Sequence, residues 1–179
     1  MEIKNQSIKT ALFTIVIAFC GILNLNAQSR VRQSPKMVVT GKINEANITI
    51  TYGSPSVKGR KIWGELVPYN KIWRTGANEA TQIETDKDLM VEGKKLVAGK
   101  YTLYTIPGEK EWKIIISSQT GQWGIERSGE TTHNPEKDVI EVAVNPVISP
   151  DFEEALMFVL NKNHLVIKWE HLQIPISIQ

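Results

Sequence analysis

From Met37 onward, apolar and polar residues alternate with a period of two, the repeat of a strand that buries one face. Met37, Val39 and Ile43 share one side of a first segment, and Ile48, Ile50 and Tyr52 one side of a second, with Asn44-Glu45 as the turn between them. Thr81, Ile83 and Thr85 then alternate with Gln82 and Glu84. Glu92-Gly93, set between Leu89-Met90-Val91 and Leu96-Val97, is a compact hairpin signal. Residues 99–106 form another run, closed by Pro107-Gly108, and Trp112, Ile114 and Ile116 line one side of the next. Ile140, Val142 and Val144 alternate with Glu141 and Ala143 before Pro146.

The C-terminal part departs from simple alternation in two ways. Residues 155–160 (ALMFVL) are apolar on both parities, which predicts a strand covered on both faces. Leu165, Ile167 and Trp169 are apolar at odd positions, but Leu172, Ile174, Ile176 and Ile178 at even ones. A slip of one residue turns a strand over, so the Glu170-His171 pair is expected to hold a bulge or tight bend. Pro175 donates no ladder hydrogen bond and belongs at a sheet edge. Ten or eleven short strands with little helix predict an all-β fold, an antiparallel sandwich or jelly-roll-like domain.

Two segments interrupt the rhythm, residues 54–80 and 118–138, and long loops in a compact domain are commonly functional. The first (54–79, SPSVKGRKIWGELVPYNKIWRTGANE) gathers Lys58, Arg60, Lys61, Lys71 and Arg74 with Trp63, Trp73 and Tyr69, and repeats Lys-Ile-Trp ten residues apart at 61–63 and 71–73. Arg60 and Arg74 are the strongest candidates for an anion, because a guanidinium offers a planar fork that matches carboxylate or phosphate. Trp63, Trp73 and Tyr69 are candidate stacking faces for a sugar or for those side chains, and Asn78 and Glu79 add an amide and a carboxylate. In the other reading, Arg74 pairs with Glu79 and the tryptophans pin a packed lid onto the sandwich. A hydrolase using Glu79 or another loop carboxylate is the third reading. The second loop contributes Trp123 as a further binding candidate. Its His133, Glu136 and Asp138 match no EF-hand or zinc spacing and are expected to face water. No catalytic residue, metal or cofactor is assigned: there is no G-x-S-x-G elbow and no H-E-x-x-H pair.

The N-terminus lies outside this pattern. Lys4 and Lys9 precede an apolar run over residues 11–23 and a small-residue exit ending at Ala27, the marks of a secretory signal peptide. The run is shorter than the roughly 20 residues of a membrane-spanning helix. The expected organisation is therefore a signal peptide over 1–27, a polar linker over 28–36 and one domain over 37–179, exported to the periplasm or cell surface and not inserted in the membrane. Cys20 is the sole cysteine and would leave with the leader, so no disulfide or thiolate site is expected. Of the net charge of +2, the leader accounts for one unit through Glu2, Lys4 and Lys9. A nearly neutral domain lacks the basic excess of a nucleic-acid binder.

The run from Gly59 to Tyr69 (GRKIWGELVPY), continued by Ile72-Trp73-Arg74-Thr75-Gly76-Ala77-Asn78-Glu79-Ala80-Thr81, resembles DUF2911, a family of unknown function found in exported proteins of Bacteroidetes-type bacteria. The likeness extends through residues 98–107, Glu111-Trp112 and Gln122-Trp123-Gly124. Where relatives carry Gly after the Pro-Tyr pair this chain has Asn70, a residue that tolerates the left-handed conformation, so the turn is expected to persist. The resemblance implies an exported single domain and no particular activity. The leading expectation is a binding module for a small anionic or carbohydrate ligand at residues 54–79.

Overall fold

A computed structural model describes residues 32–179. The expected signal peptide, with residues 28–31 of the expected linker, lies outside the described residues. Ten strands follow in order: β1 (Lys36–Ile43), β2 (Ala46–Gly53), β3 (Gln82–Thr85), β4 (Leu89–Val91), β5 (Lys94–Leu96), β6 (Gly99–Ile106), β7 (Trp112–Ser117), β8 (Asp138–Val144), β9 (Val147–Leu160) and β10 (His164–Ser177). The only helical element among the described residues is a single 3-10 turn at Pro135–Lys137. The fold is all-β and antiparallel, as the alternation predicts.

Strands β1-β2-β3-β6-β7-β8 form one six-stranded sheet, a meander from which β4 and β5 step out as a hairpin. The second layer is the β9–β10 hairpin, whose strands run 14 residues each. The β4–β5 hairpin extends this layer, because Met90 and Gln179 exchange backbone hydrogen bonds of 2.7 and 2.9 Å and Val91 bridges Ile178. Turn chemistry sets the register: Asn44 (φ 51°) closes β1–β2, and Glu92 (φ 48°) with Gly93 (φ 77°) closes β4–β5.

Ile48, Ile50, Ile83, Leu103, Ile114 and Ile116 of the first sheet meet Leu156, Phe158, Leu165, Ile167, Trp169, Ile174 and Ile176 of the second in one continuous core. That odd and even positions of β10 reach the same core is the work of the bulge. Its pairing with β9 shifts on either side of Glu170, which takes φ 55°. Pro175 falls beyond the last paired residue, Gln173. The structure joins what alternation reads as two segments, 165–169 and 172–178, into one long strand, because a bulge redirects side chains without ending the strand.

β6 and β7 are buried on both faces. Behind them Tyr104, Ile115 and Ala80 form a second small core, packed by Ile72 and Ile106. Residues 118–134 close over it: Gln122 Nε2 donates to the Tyr104 hydroxyl at 2.7 Å, and the His133 ring meets the Tyr104 ring edge to face at 4.9 Å. His133 Nε2 also bonds both oxygens of Asp138 at 2.8 and 2.9 Å. These two side chains, expected in water, are instead a partly buried pair that fastens the loop to its sheet.

Candidate functional site

Residues 54–79 leave β2 at Gly53 and return to the first sheet just before β3, and on the way they pair with both layers. Leu156 N donates to Pro55 O at 2.9 Å and Val57 N to Glu154 O at 2.7 Å, so residues 55–57 line the free edge of β9. Farther on, Trp73 and Thr105 exchange backbone bonds of 2.8 and 3.0 Å, placing Trp73 on β6 beyond its last pair with β3. The segment is thus a strap between the sheets. Between its anchors the chain makes tight reversals at Lys58 (φ 49°) with Gly59 (φ 66°), at Gly64 (φ 84°) and at Asn70 (φ 57°). Asn70 takes the left-handed conformation expected of it.

The reversals drive Val57, Ile62, Trp63 and Val67 into the main core. Both tryptophans of the Lys-Ile-Trp repeat enter one aromatic cluster with Trp112 and Trp169. Trp63 packs edge to face on Trp112 at 5.1 Å and on Trp169 at 5.7 Å, while Trp73 lies nearly parallel to Trp169 (19°) at 6.0 Å. Such pairs add about 0.5–1.5 kcal/mol each beyond their buried area. Asn78 (φ 65°) donates from Nδ2 to Ser34 O at 3.0 Å, and Ser54 N donates to Pro35 O at 2.9 Å. Residues 34–36, expected in the linker, are therefore tied into the domain.

Beside the strap opens a cleft of about 400 Å³. Lys58, Arg60, Lys71 and Arg74 line it, and among the described residues no carboxylate side chain does. The two arginines differ in state. Arg60 is turned back on its own reversal, donating from Nε to Val57 O at 3.0 Å and from Nη2 to Ser56 O. Arg74 is half-buried, and its Nε has no hydrogen-bond partner among the described residues. Burial pushes its pKa down from the ordinary arginine value, yet a guanidinium remains charged at neutral pH. Its stem is held from above by Gly124: a Cβ at that position would lie 2.7 Å from Arg74 Cδ and 2.8 Å from Arg74 Cβ. Gly124 has φ 94°, so glycine suits the position twice over.

The candidates from the sequence therefore scatter. Arg60, Trp73 and Arg74 share the cleft. Trp63 and Tyr69 border a separate hollow of about 500 Å³ with Glu170 and His171. Glu79 borders a third pocket of about 60 Å³ beside Tyr52 and Gln82. Asn78 serves the N-terminal segment, and Trp123 stands 49% exposed outside all three linings. No ion pair joins Arg74 to Glu79 among the described residues. Sequence reasoning missed Ile125 from the second loop and Trp169 from β10, both of which line the cleft. Nothing in their local patterns marks them, since only the tertiary fold brings them there. Among the described residues no cluster of three His, Cys, Asp or Glu side chains is placed to hold a metal ion.

The family model of DUF2911, described as a protein of unknown function, matches residues 34–178. The match begins at Ser34, the residue whose carbonyl Asn78 holds. No curated protein and no solved structure matches the chain. The span takes in the strap, both sheets and every residue of the cleft but Gln33, and the chain belongs to the DUF2911 family.

Proposed function

We propose that this domain binds a small anionic ligand in the 400 Å³ cleft, with Arg74 as the group that holds the charge. The observation that carries the reading is the half-buried Arg74 guanidinium, its Nε without a partner, in a lining whose described residues hold four cations and no carboxylate. An unpaired donor of this kind costs free energy on folding, of order 1–3 kcal/mol and more when charged. An anion in the cleft offsets part of that cost through its charge. The cleft volume falls within the roughly 300–1,000 Å³ usual for ligand pockets. Arg60 plays a supporting part, shaping the reversal and adding to the field. The N-terminal leader features suit an exported binding domain, which N-terminal sequencing of the protein recovered from the periplasm or medium would check.

The hydrolase reading gains nothing from the geometry, because Glu79 borders a different pocket and no described residue lining the cleft is a carboxylate. The lid reading has a specific observation in its favour, the burial of Trp63, Ile62 and Val67 in the core. The two are compatible: one half of the strap packs and the other half presents cations. A thermal-shift screen of sulfate, phosphate, carboxylates and neutral sugars tests the proposal. At about 100 times its Kd a ligand adds roughly 2.7 kcal/mol of stability. Anions raise the melting temperature, most at low salt, and Arg74→Gln abolishes the shift. If no anion shifts the wild-type chain at low salt, the proposal is wrong.

A further inference from the structure

Resting on the anion-binding reading of this cleft, we infer that its ligand is an organic carboxylate with a compact apolar body, not a bare inorganic anion or a sugar. Away from its cations the cleft is walled by Leu66, Val67, Pro68, Ile72 and Ile125, with Trp73 beside them. Leu66 is a large apolar side chain left 44% exposed at this position, and an apolar wall beside a charge is what an amphiphilic ligand covers. An inorganic anion fills little of 400 Å³ and leaves those walls in water.

One partly buried cation balances the single charge of a carboxylate better than the near-double charge of a phosphate monoester. One half-buried guanidinium supplies one planar fork, the match for two carboxylate oxygens. Lys58 and Lys71 are exposed and add long-range attraction. A sugar is disfavoured on two counts. Trp169 is 1% exposed and lies parallel to Trp73, while Trp63 points its contacts at the same cluster, so the indole faces are occupied by one another. Among the described residues the lining also lacks Asp, Glu and Asn, leaving few acceptors for a set of sugar hydroxyls that must each be paired when buried.

The test is a titration of the full chain with acetate, butyrate, hexanoate, hexanol, hexyl phosphate and sulfate, read by calorimetry and thermal shift. Kd is expected to tighten about fourfold per added methylene from acetate to hexanoate, the factor that corresponds to burying one methylene. Hexanol, which lacks the charge, binds at least tenfold more weakly than hexanoate. Arg74→Lys, which keeps the charge and loses the fork, weakens hexanoate about tenfold. Should the Arg74 variant not fold, Lys71→Glu on the exposed rim weakens hexanoate at least threefold, and Lys61→Ala, outside the lining, does not. A Kd independent of chain length, with sulfate binding as well as hexanoate, overturns this inference and leaves the anion site standing. Hexyl phosphate binding tenfold tighter than hexanoate overturns the choice of carboxylate. No binding by any anion overturns both the inference and the reading it rests on.

Discussion

Replacing Gly124 by alanine tests how the two long loops are joined. The new Cβ meets Arg74 Cδ at 2.7 Å, Arg74 Cβ at 2.8 Å and Ala80 Cβ at 3.2 Å. The first two distances are well inside van der Waals contact, and Arg74 cannot swing away freely because its backbone is fixed: its carbonyl accepts from Thr81 N at 3.2 Å, and the next residue back is Trp73 in the β6 ladder. Overpacking of this sort costs about 1–3 kcal/mol. An L-residue forced to φ 94° adds about 1–2 kcal/mol, the scale of the left-handed penalty. Together Gly124→Ala should destabilise by about 2–5 kcal/mol, which for a domain of about 150 residues lowers the melting temperature by roughly 4–20 °C. Circular dichroism on heating, with urea unfolding beside it, measures this. The same displacement moves the guanidinium, so on the proposed reading hexanoate affinity should fall even where the variant is fully folded. A variant that melts within about 1 °C of wild type and binds unchanged would show that residues 121–125 do not rest on Arg74.

Other changes probe the rest of the molecule. Gly53→Ala should prevent folding or cost more than about 3 kcal/mol, because its Cβ would lie 2.0 Å from the Ala77 carbonyl oxygen, backbone that cannot give way; soluble yield and urea midpoint report it. Trp63→Ala empties the centre of the tryptophan cluster and should cost about 3–5 kcal/mol, with a matching change in intrinsic fluorescence on unfolding. Burial raises the pKa of both Tyr52 and Tyr104. The unfolded chain's tyrosines lose their protons first, near pH 10, so the contribution of these phenols is complete below that pH and is lost as pH rises through their higher native values. The urea midpoint should fall steeply above about pH 10, and less steeply in the Tyr52→Phe/Tyr104→Phe double variant; an unchanged slope in that variant would count against the assignment. Arg60→Ala removes donors to two turn carbonyls and should cost about 1–2 kcal/mol while weakening anion binding less than Arg74→Gln.

Period-two alternation is enough to place β2 and β3, which bury one face against a second layer, whereas β6 and β7, buried on both faces, are bounded by the turn signals at Gly99 and Pro107-Gly108. The bulge at Glu170 was legible for the same reason: a slip of parity has few physical causes, and the core must lie on one side. The length of β10 was not, since alternation marks where a face turns but not whether the strand stops. The strap shows the other limit. Its cations and aromatics announced themselves by composition, yet composition says nothing of direction. Trp63 and Trp73 both follow Lys-Ile in sequence, yet Trp63 ends in the core while Trp73 packs against it at the cleft, where Lys58 and Lys71 also reach. What separates them is the set of left-handed reversals at Lys58, Gly59, Gly64 and Asn70, a property of tertiary context at the two non-glycine positions. His133 and Asp138 were misread for a related reason. Each is an ordinary loop charge in sequence, and only the covering of Tyr104 by residues 118–134 gives them a partner and partial burial.

The choice between a packed lid and a binding loop assumes that one segment does one thing, and the strap's connections argue otherwise. A segment that pairs with β9 at one end and with β6 at the other cannot move as a flap without breaking backbone hydrogen bonds in both layers. The reversals between those anchors are held by Ile62, Trp63 and Val67 in the core. A rigid segment is also what a small anion site needs, because a guanidinium fixed before the ligand arrives spares the entropy of ordering it on binding. On the proposed reading, the packing residues are what hold Arg74 half-buried at the cleft. Core and cleft are two faces of one strap, and a change that loosens the tryptophan cluster should weaken anion binding without touching a single cleft cation.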